Sequence, residues 1–259
     1  MNAAGGNEHP HLRVFVSLTT IPSRMGGIAR CIASLETQTL APERIFLCVP
    51  QTYRRFETPD PLPFSAAELG KSVEIIRCND DGPGTKILGS LDHVPKEPDA
   101  LLVMVDDDAA YEPHMLATFA EAFRAKPRDA SSFHVYRYRG IDVGQGNDGF
   151  AIPAHVLGGL RDFHAKFREH PYLFLVDDLW ISFYLWMNSV PIQSLAAKAG
   201  RTGFIRDVYN DVDALAKLTG QFTRRRAMSR SIRHLRLRFG LEGIWMRLMH
   251  SVRRKRDKD

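Results

Sequence analysis

The 259-residue chain is poor in several things, and each shortage excludes something. Cysteine is scarce: Cys31, Cys48 and Cys78 are odd in number, far apart and set among apolar residues. That pattern excludes a disulfide framework and a thiolate metal site, and predicts reduced, structural thiols. No apolar run approaches the roughly 18 residues that a spanning helix needs, so no transmembrane segment is expected. The first ten residues are polar and carry no apolar signal core. They predict a disordered lead-in over 1–12 and a cytoplasmic protein, with the inner membrane face as a further location. Repeats and low-complexity tracts are lacking too. A hydrophobic content of 44% against 25% charged then suits an ordinary globular core.

The formal charge of +5 conceals an asymmetry. Residues 224–259 hold 13 Lys/Arg against Glu242, Asp257 and Asp259, a net of +10, which leaves −5 for residues 1–223. The basic character therefore belongs to the tail, and the pI gives no ground for a chain-wide nucleic-acid surface.

Arg13–Leu18, Arg44–Val49, Val73–Arg77 and Leu101–Val105 are short apolar runs that predict strands. Between them, Met25–Thr37 carries Ile28, Cys31, Ile32 and Leu35 at helical spacing, and a short helix follows Gly84 through Leu91. Residues 51–70, with Pro59, Pro61 and Pro63, read as loop. This alternation predicts an α/β fold with a mostly parallel sheet flanked by helices. Beyond it, Pro113–Ala125 and Ala154–Leu160 read as helices, Ser131–Tyr138 as a strand and 140–149 as a mobile Gly/Asp loop. Asp178–Asn188 reads as a buried apolar element.

In open parallel sheets, ligands sit beyond the carboxyl ends of the strands. Three turns follow strand ends here: Thr19-Thr20-Ile21-Pro22-Ser23-Arg24, Asp80-Asp81-Gly82-Pro83-Gly84-Thr85-Lys86, and Asp106-Asp107-Asp108. Crowded carboxylates repel one another and lose hydration when buried, and a hard divalent cation relieves both costs. The aspartate triplet is therefore either a metal site or a solvated turn. Lys86 is either a phosphate partner or a solvated helix-start lysine, and Arg24 has the same two readings. The segment around Lys86 lacks the P-loop spacing, and no Ser or Thr follows the lysine. Asp177 and Asp178 are either helix N-caps or a general base.

The tail carries Met228, Ile232, Leu235 and Phe239 at i, i+4, i+7 and i+11, and Leu241, Trp245, Leu248 and Val252 repeat the spacing after Gly240. Arginines fill the other faces. The tail either docks on an anionic membrane surface or packs its apolar stripe on the domain. Nucleic acid is disfavoured, because the aromatics follow core-like spacing.

Five segments in this order carry a family resemblance: VSLTTIPSR (16–24), SLETQTLAPERIFLCVP (34–50), DDGPGTKILGSL (80–91), VMVDDDAAYEP (103–113) and VDDLWISFYLWMNSVP (176–191). The chain resembles a glycosyltransferase of the GT-A fold, close to the family 2-like enzymes, over about residues 13–215. The resemblance implies a GT-A-type, Rossmann-like domain over 13–223, with a nucleotide-sugar half of about 13–112, an acceptor half of about 113–223 and a helical tail over 224–259. It implies a UDP- or GDP-sugar donor, a glycan or glycolipid acceptor, and Mn²⁺ or Mg²⁺. Asp108 matches the main metal ligand of the Asp-x-Asp motif, with Asp106 on metal or ribose and Asp107 beside them. Thr19, Thr20, Pro22 and Arg24 fall where the family contacts nucleotide, Asp80 or Asp81 where it reaches the base, and Lys86 where it reaches diphosphate or sugar. Asp178 takes the place of the family's base. The pair reads Asp177-Asp178 where the family has Glu-Asp, so the choice between the two acids stays open.

Two other readings compete. Sugar-phosphate nucleotidyltransferases share the architecture but carry a Gly-rich, basic signature after the first strand, where this chain has Thr-Thr-x-Pro-Ser-Arg. A non-enzymatic adaptor working through its tail, on membrane or nucleic acid, leaves two carboxylate clusters without a purpose.

Overall fold

The computed structural model describes residues 12–196, 203–209 and 220–256, and the side chains of 225–249 within the last stretch. The expected lead-in and part of the expected acceptor half lie outside the described residues.

Four runs form the predicted strands: β1 (Arg13–Thr19), β2 (Arg44–Pro50), β3 (Val73–Cys78) and β4 (Ala100–Met104). They are parallel, with Val16 level with both Ile45 and Val103. The strands β1, β2 and β4 are apolar on both faces because both faces are covered. Phe15, Phe46 and Leu102 enter one core, and Val14, Val16, Ile45, Leu47 and Val103 enter the other. The connections are α1 (Ile28–Glu36), α2 (Ala66–Leu69) and α3 (Thr85–Ser90). Residues 51–70 are thus not all loop, since Ser65 and Glu68 form a capping box that opens α2.

Beyond β4 come β5 (Ala109–Tyr111), α4 (Met115–Ala125), β6 (Ala130–Ser132), β7 (Val135–Tyr138), β8 (Ile141–Gly144), β9 (Phe150–Pro153), α5 (Leu160–Ala165), α6 (Asp177–Met187), β10 (Ile192–Ser194) and β11 (Ile205–Val208). The seven-stranded sheet runs β10-β6-β9-β4-β1-β2-β3. The strand β9 is antiparallel to both β4 and β6, so the sheet is mostly rather than wholly parallel. The segment 131–138 is not one strand: Ser131 and Ser132 join the main sheet, while β7 pairs with β8 in a separate hairpin. That hairpin takes up Ile141–Gly144, which composition had marked as loop. Gly and Asp content did not reveal that Ile141 and Val143 point into the core.

The tail is one helix, α7 (Gly220–Arg256), and Gly240 does not interrupt it. Ile232, Leu235 and Phe239 are buried and Met228 is half-buried against α6 and α5, with the Phe239 ring 5.0 Å from that of Phe163. Leu241, Trp245 and Leu248 are exposed, and Val252 lies outside the described side chains. Of the two tail readings, packing on the domain therefore holds for the first stripe. No helix among the described residues is long and apolar enough to cross a membrane.

Candidate active site

The carboxyl ends of β1, β3 and β4 open on one cleft of about 440 Å³. Its walls include Thr19, Thr20, Arg24, Asp80, Lys86, Asp106, Asp107, Asp108, Asp177 and Asp178. The three turns singled out in the sequence thus meet the aspartate pair of α6, about 70 residues further along the chain. Two expected residues stand apart. Pro22 opens a six-residue 3-10 helix, Pro22–Gly27, and does not line the cleft. Asp81 is turned to Arg168, which donates to its carboxylate at 2.8 Å.

Two cations sit among the acids. Lys86 is 4% exposed, with Nζ 2.6 Å from Asp106 Oδ1 and 3.4 Å from Asp177 Oδ2. Burial by itself lowers an ammonium, but Asp106, Asp177 and Asp178 together outweigh it and raise Lys86 above its ordinary value. It is therefore not a solvated lysine. The Arg24 Nη1 lies 2.7 Å from Asp107 Oδ1 and 3.2 Å from Asp108 Oδ2.

Arg55 lines the cleft as well, and even three cations do not balance the six carboxylates of its walls; burial, together with this deficit, pushes the acids up. Burial, then Asp106, pushes Asp108 up to about 6 in spite of Arg24. Burial, then Asp177, pushes Asp178 up to about 8 in spite of Lys86. Burial also raises Asp107, whose Oδ2 has no hydrogen-bond partner. Among the described residues, no three Asp, Glu, His or Cys side chains form a ready-made metal cluster.

The first turn of α6 carries both Asp177 and Asp178, where the helix dipole favours them. Neither caps the helix through its side chain: the N-cap position is Val176, with no side-chain hydrogen bond. Instead Asp178 Oδ1 accepts the Gly146 amide at 3.0 Å. A Cβ on Gly146 would lie 3.2 Å from that oxygen and 3.4 Å from Lys86 Nζ, so only glycine brings the backbone this close without displacement. Tyr111 ties the same segment to the triplet. Its hydroxyl accepts the Asp106 amide at 2.9 Å and lies 3.1 Å from the Asn147 carbonyl.

Several cleft residues went unnoticed in the sequence. Tyr53, Arg55 and Phe56 line it from the segment read as loop, and Tyr53 donates to the Thr20 carbonyl at 2.9 Å. The Arg55 guanidinium lies over the Phe56 ring at 5.2 Å. The run Tyr-Arg-Arg-Phe after a strand end was the available signal. Gln145, Gly146 and Asn147 carried none beyond glycine content. Ala227 reaches the cleft from α7, which no local pattern could indicate.

No family model and no curated protein matches the chain. Its fold is similar to several solved structures. A mannosyltransferase from Pyrobaculum calidifontis, in complex with GDP-Man and Mn²⁺, is 15% identical, with a TM-score of 0.45 over 58% of this chain and 47% of that one. S. aureus TarS 1-349 in complex with UDP is 12% identical, with a TM-score of 0.47 over 75% of this chain and 60% of that one. Francisella tularensis 2-C-methyl-D-erythritol 4-phosphate cytidylyltransferase is 12% identical, with a TM-score of 0.43 over 71% of this chain and 89% of that one. The matched region thus spans about half of the first two structures. At these identities and TM-scores the likeness carries no functional argument.

Proposed function

We propose that the chain transfers a sugar from a UDP- or GDP-sugar to a hydroxyl of a glycan or glycolipid acceptor. The observation that carries this reading is the charge deficit of the cleft, with six aspartates on its walls against Arg24, Arg55 and Lys86, and with Asp108 and Asp178 held near 6 and 8. Such a cleft repels an anionic diphosphate unless a further cation accompanies it. Asp106 and Asp108 keep 35% and 19% of their side chains exposed, while Asp107 keeps 5%. The first two are therefore the oxygen ligands for Mn²⁺ or Mg²⁺, and Asp107 orients Arg24. Magnesium commonly takes one or two carboxylates and completes its shell with water and phosphate oxygens, so a three-ligand cage is not required. When bound, the metal supplies charge stabilisation to the departing diphosphate.

The chain's own residues do the rest. Arg24 and Lys86, with Arg55 further along the wall, present the cations of the cleft to phosphate oxygens. Thr19 and Thr20 form the nucleotide wall. Asp80 shapes it by accepting the amides of Arg54 and Gly82 at 2.7 and 2.9 Å. Asp178, fixed through Oδ1 by the Gly146 amide, takes the proton of the acceptor hydroxyl as general base. In the metal-free cleft burial and the neighbouring acids hold Asp178 near 8, which makes it a stronger base than an ordinary carboxylate. Asp177 holds Lys86 in place. The nucleotide-sugar half then ends near residue 112, and the acceptor half follows.

The test is turnover of a panel of UDP- and GDP-sugars with Mn²⁺ by wild type, Asp108→Asn and Asp178→Asn. Asp108→Asn is expected to lose metal-dependent donor binding. Asp178→Asn is expected to bind donor normally and to lose about 10²- to 10⁴-fold in kcat, the usual contribution of a general base. Folded wild type that binds no nucleotide sugar in the presence of metal overturns the reading. Release of pyrophosphate from a nucleoside triphosphate and a sugar phosphate would assign nucleotidyl transfer in its place.

A further inference from the structure

The helix α7 carries two apolar faces, and the domain covers one of them. Ile232, Leu235 and Phe239 are buried at 1%, 0% and 2% exposure. Leu237, Leu241, Ile244 and Trp245 are 83%, 87%, 53% and 62% exposed, although they are the kind of side chain a fold buries first. At 3.6 residues per turn these four fall within an arc of about 100°, on the side of the helix away from the buried three. The exposed Arg233 and Arg238 fall on the two edges of that arc. The same stretch of chain, residues 224–259, has a net charge of +10.

We infer that this face of α7 docks on an anionic lipid bilayer. The apolar arc enters the boundary between headgroups and acyl chains, and the arginines at its edges meet the lipid phosphates. Charge selects this occupant over a second copy of the chain. Pairing two such faces would bring two sets of arginines and two highly basic segments together, and like charges oppose that contact. Charge alone would also suit nucleic acid, but a phosphate backbone offers nothing to Leu237, Leu241 and Ile244. Docking is peripheral, because no described helix can span. The first turns of α7 contribute Ala227 to the wall of the cleft, 14 residues before Leu241. At 1.5 Å per residue, the cleft contact lies about 15 Å along the helix from Leu237 and about 21 Å from Leu241 of the docked face.

The experiment is sedimentation of the full chain with vesicles of phosphatidylcholine alone and of phosphatidylcholine mixed equally with phosphatidylglycerol. Wild type is compared with the double substitutions Leu241→Glu/Trp245→Glu and Leu241→Ala/Trp245→Ala. Both positions are exposed, so both variants are expected to keep the wild-type thermal midpoint, and the alanine pair remains informative if the glutamates disturb the helix. The expected result is binding that requires phosphatidylglycerol and weakens at least about tenfold in each variant, in line with the burial of one or two large apolar side chains. Binding that vanishes in high salt but is unchanged in both variants overturns apolar docking and leaves a charge-only contact, for which a nucleic-acid probe is the next choice. Absence of binding, or self-association that the substitutions abolish, also overturns it. No sugar donor enters the assay, so the result stands apart from the fate of the transferase reading.

Discussion

Lys86 sits 2.6 Å from Asp106 and 3.4 Å from Asp177, and with Arg24 and Arg55 it is one of three cations against the six aspartates that line the cleft. Burial, and after it the neighbouring carboxylates, raises Asp178 from 3.8 to about 8 and Asp108 to about 6. For both groups the folded-state value lies above the unfolded one, so the folded state holds these protons more tightly. The stability they contribute is present in full below about pH 4 and is lost as pH rises to about 8. In chelator-containing buffer, the thermal midpoint is therefore expected to fall across that window. Asp178→Asn should reduce the fall and raise the midpoint at pH 8, as measured by calorimetry at several pH values. Turnover has the opposite sign, because a general base works only when ionised. Accordingly kcat/KM is expected to climb with pH well above the range of an ordinary carboxylate.

At the scale of elements, the cleft depends on how three turns leave their strands. The turn after β3 needs Gly82 at φ +63°, and a Cβ there would lie 2.3 Å from the Phe174 carbonyl oxygen. That contact is with backbone and cannot yield cheaply. Gly82→Ala is expected to cost more than the ~1 kcal/mol typical of a strained alanine, read as a shift in the denaturant midpoint. Donor binding should weaken with it, since Gly82 donates to Asp80 in the nucleotide wall. The first turn of α6 works in another way. Its two acids face Lys86 and Gly146, so what resembles a capping position presents carboxylates to the cleft.

At the scale of the whole molecule, α7 is part of the core. Phe239 packs on Phe163 and Phe167, with ring centroids 5.0 and 6.3 Å away, and Leu235 is fully buried. Phe239→Ala is expected to destabilise the chain by about 3–5 kcal/mol, measured by chemical denaturation. Removing the tail from residue 224 would expose the same surface, so a truncated chain reports on folding before it reports on membrane or nucleic acid. Point changes on the exposed face separate the two.

The β1–β4 alternation, the helical spacing of α1 and the buried character of α6 were legible because each is a local pattern with a fixed period or a continuous apolar run. So were the aspartate clusters, since charge at the end of an apolar strand is visible without coordinates. Local pattern was enough for a mostly parallel α/β sheet and for the acidic turns at its carboxyl edge. Tertiary structure alone decided which way each charge faces. It turned Asp81 to Arg168 and kept Asp80 in the cleft. It buried Lys86 among carboxylates, reversed β9, and drew β8 out of a segment that composition marked as loop. It also covered one face of α7 and left the other bare. Those outcomes depend on contacts between residues tens of positions apart, and no local periodicity encodes such contacts.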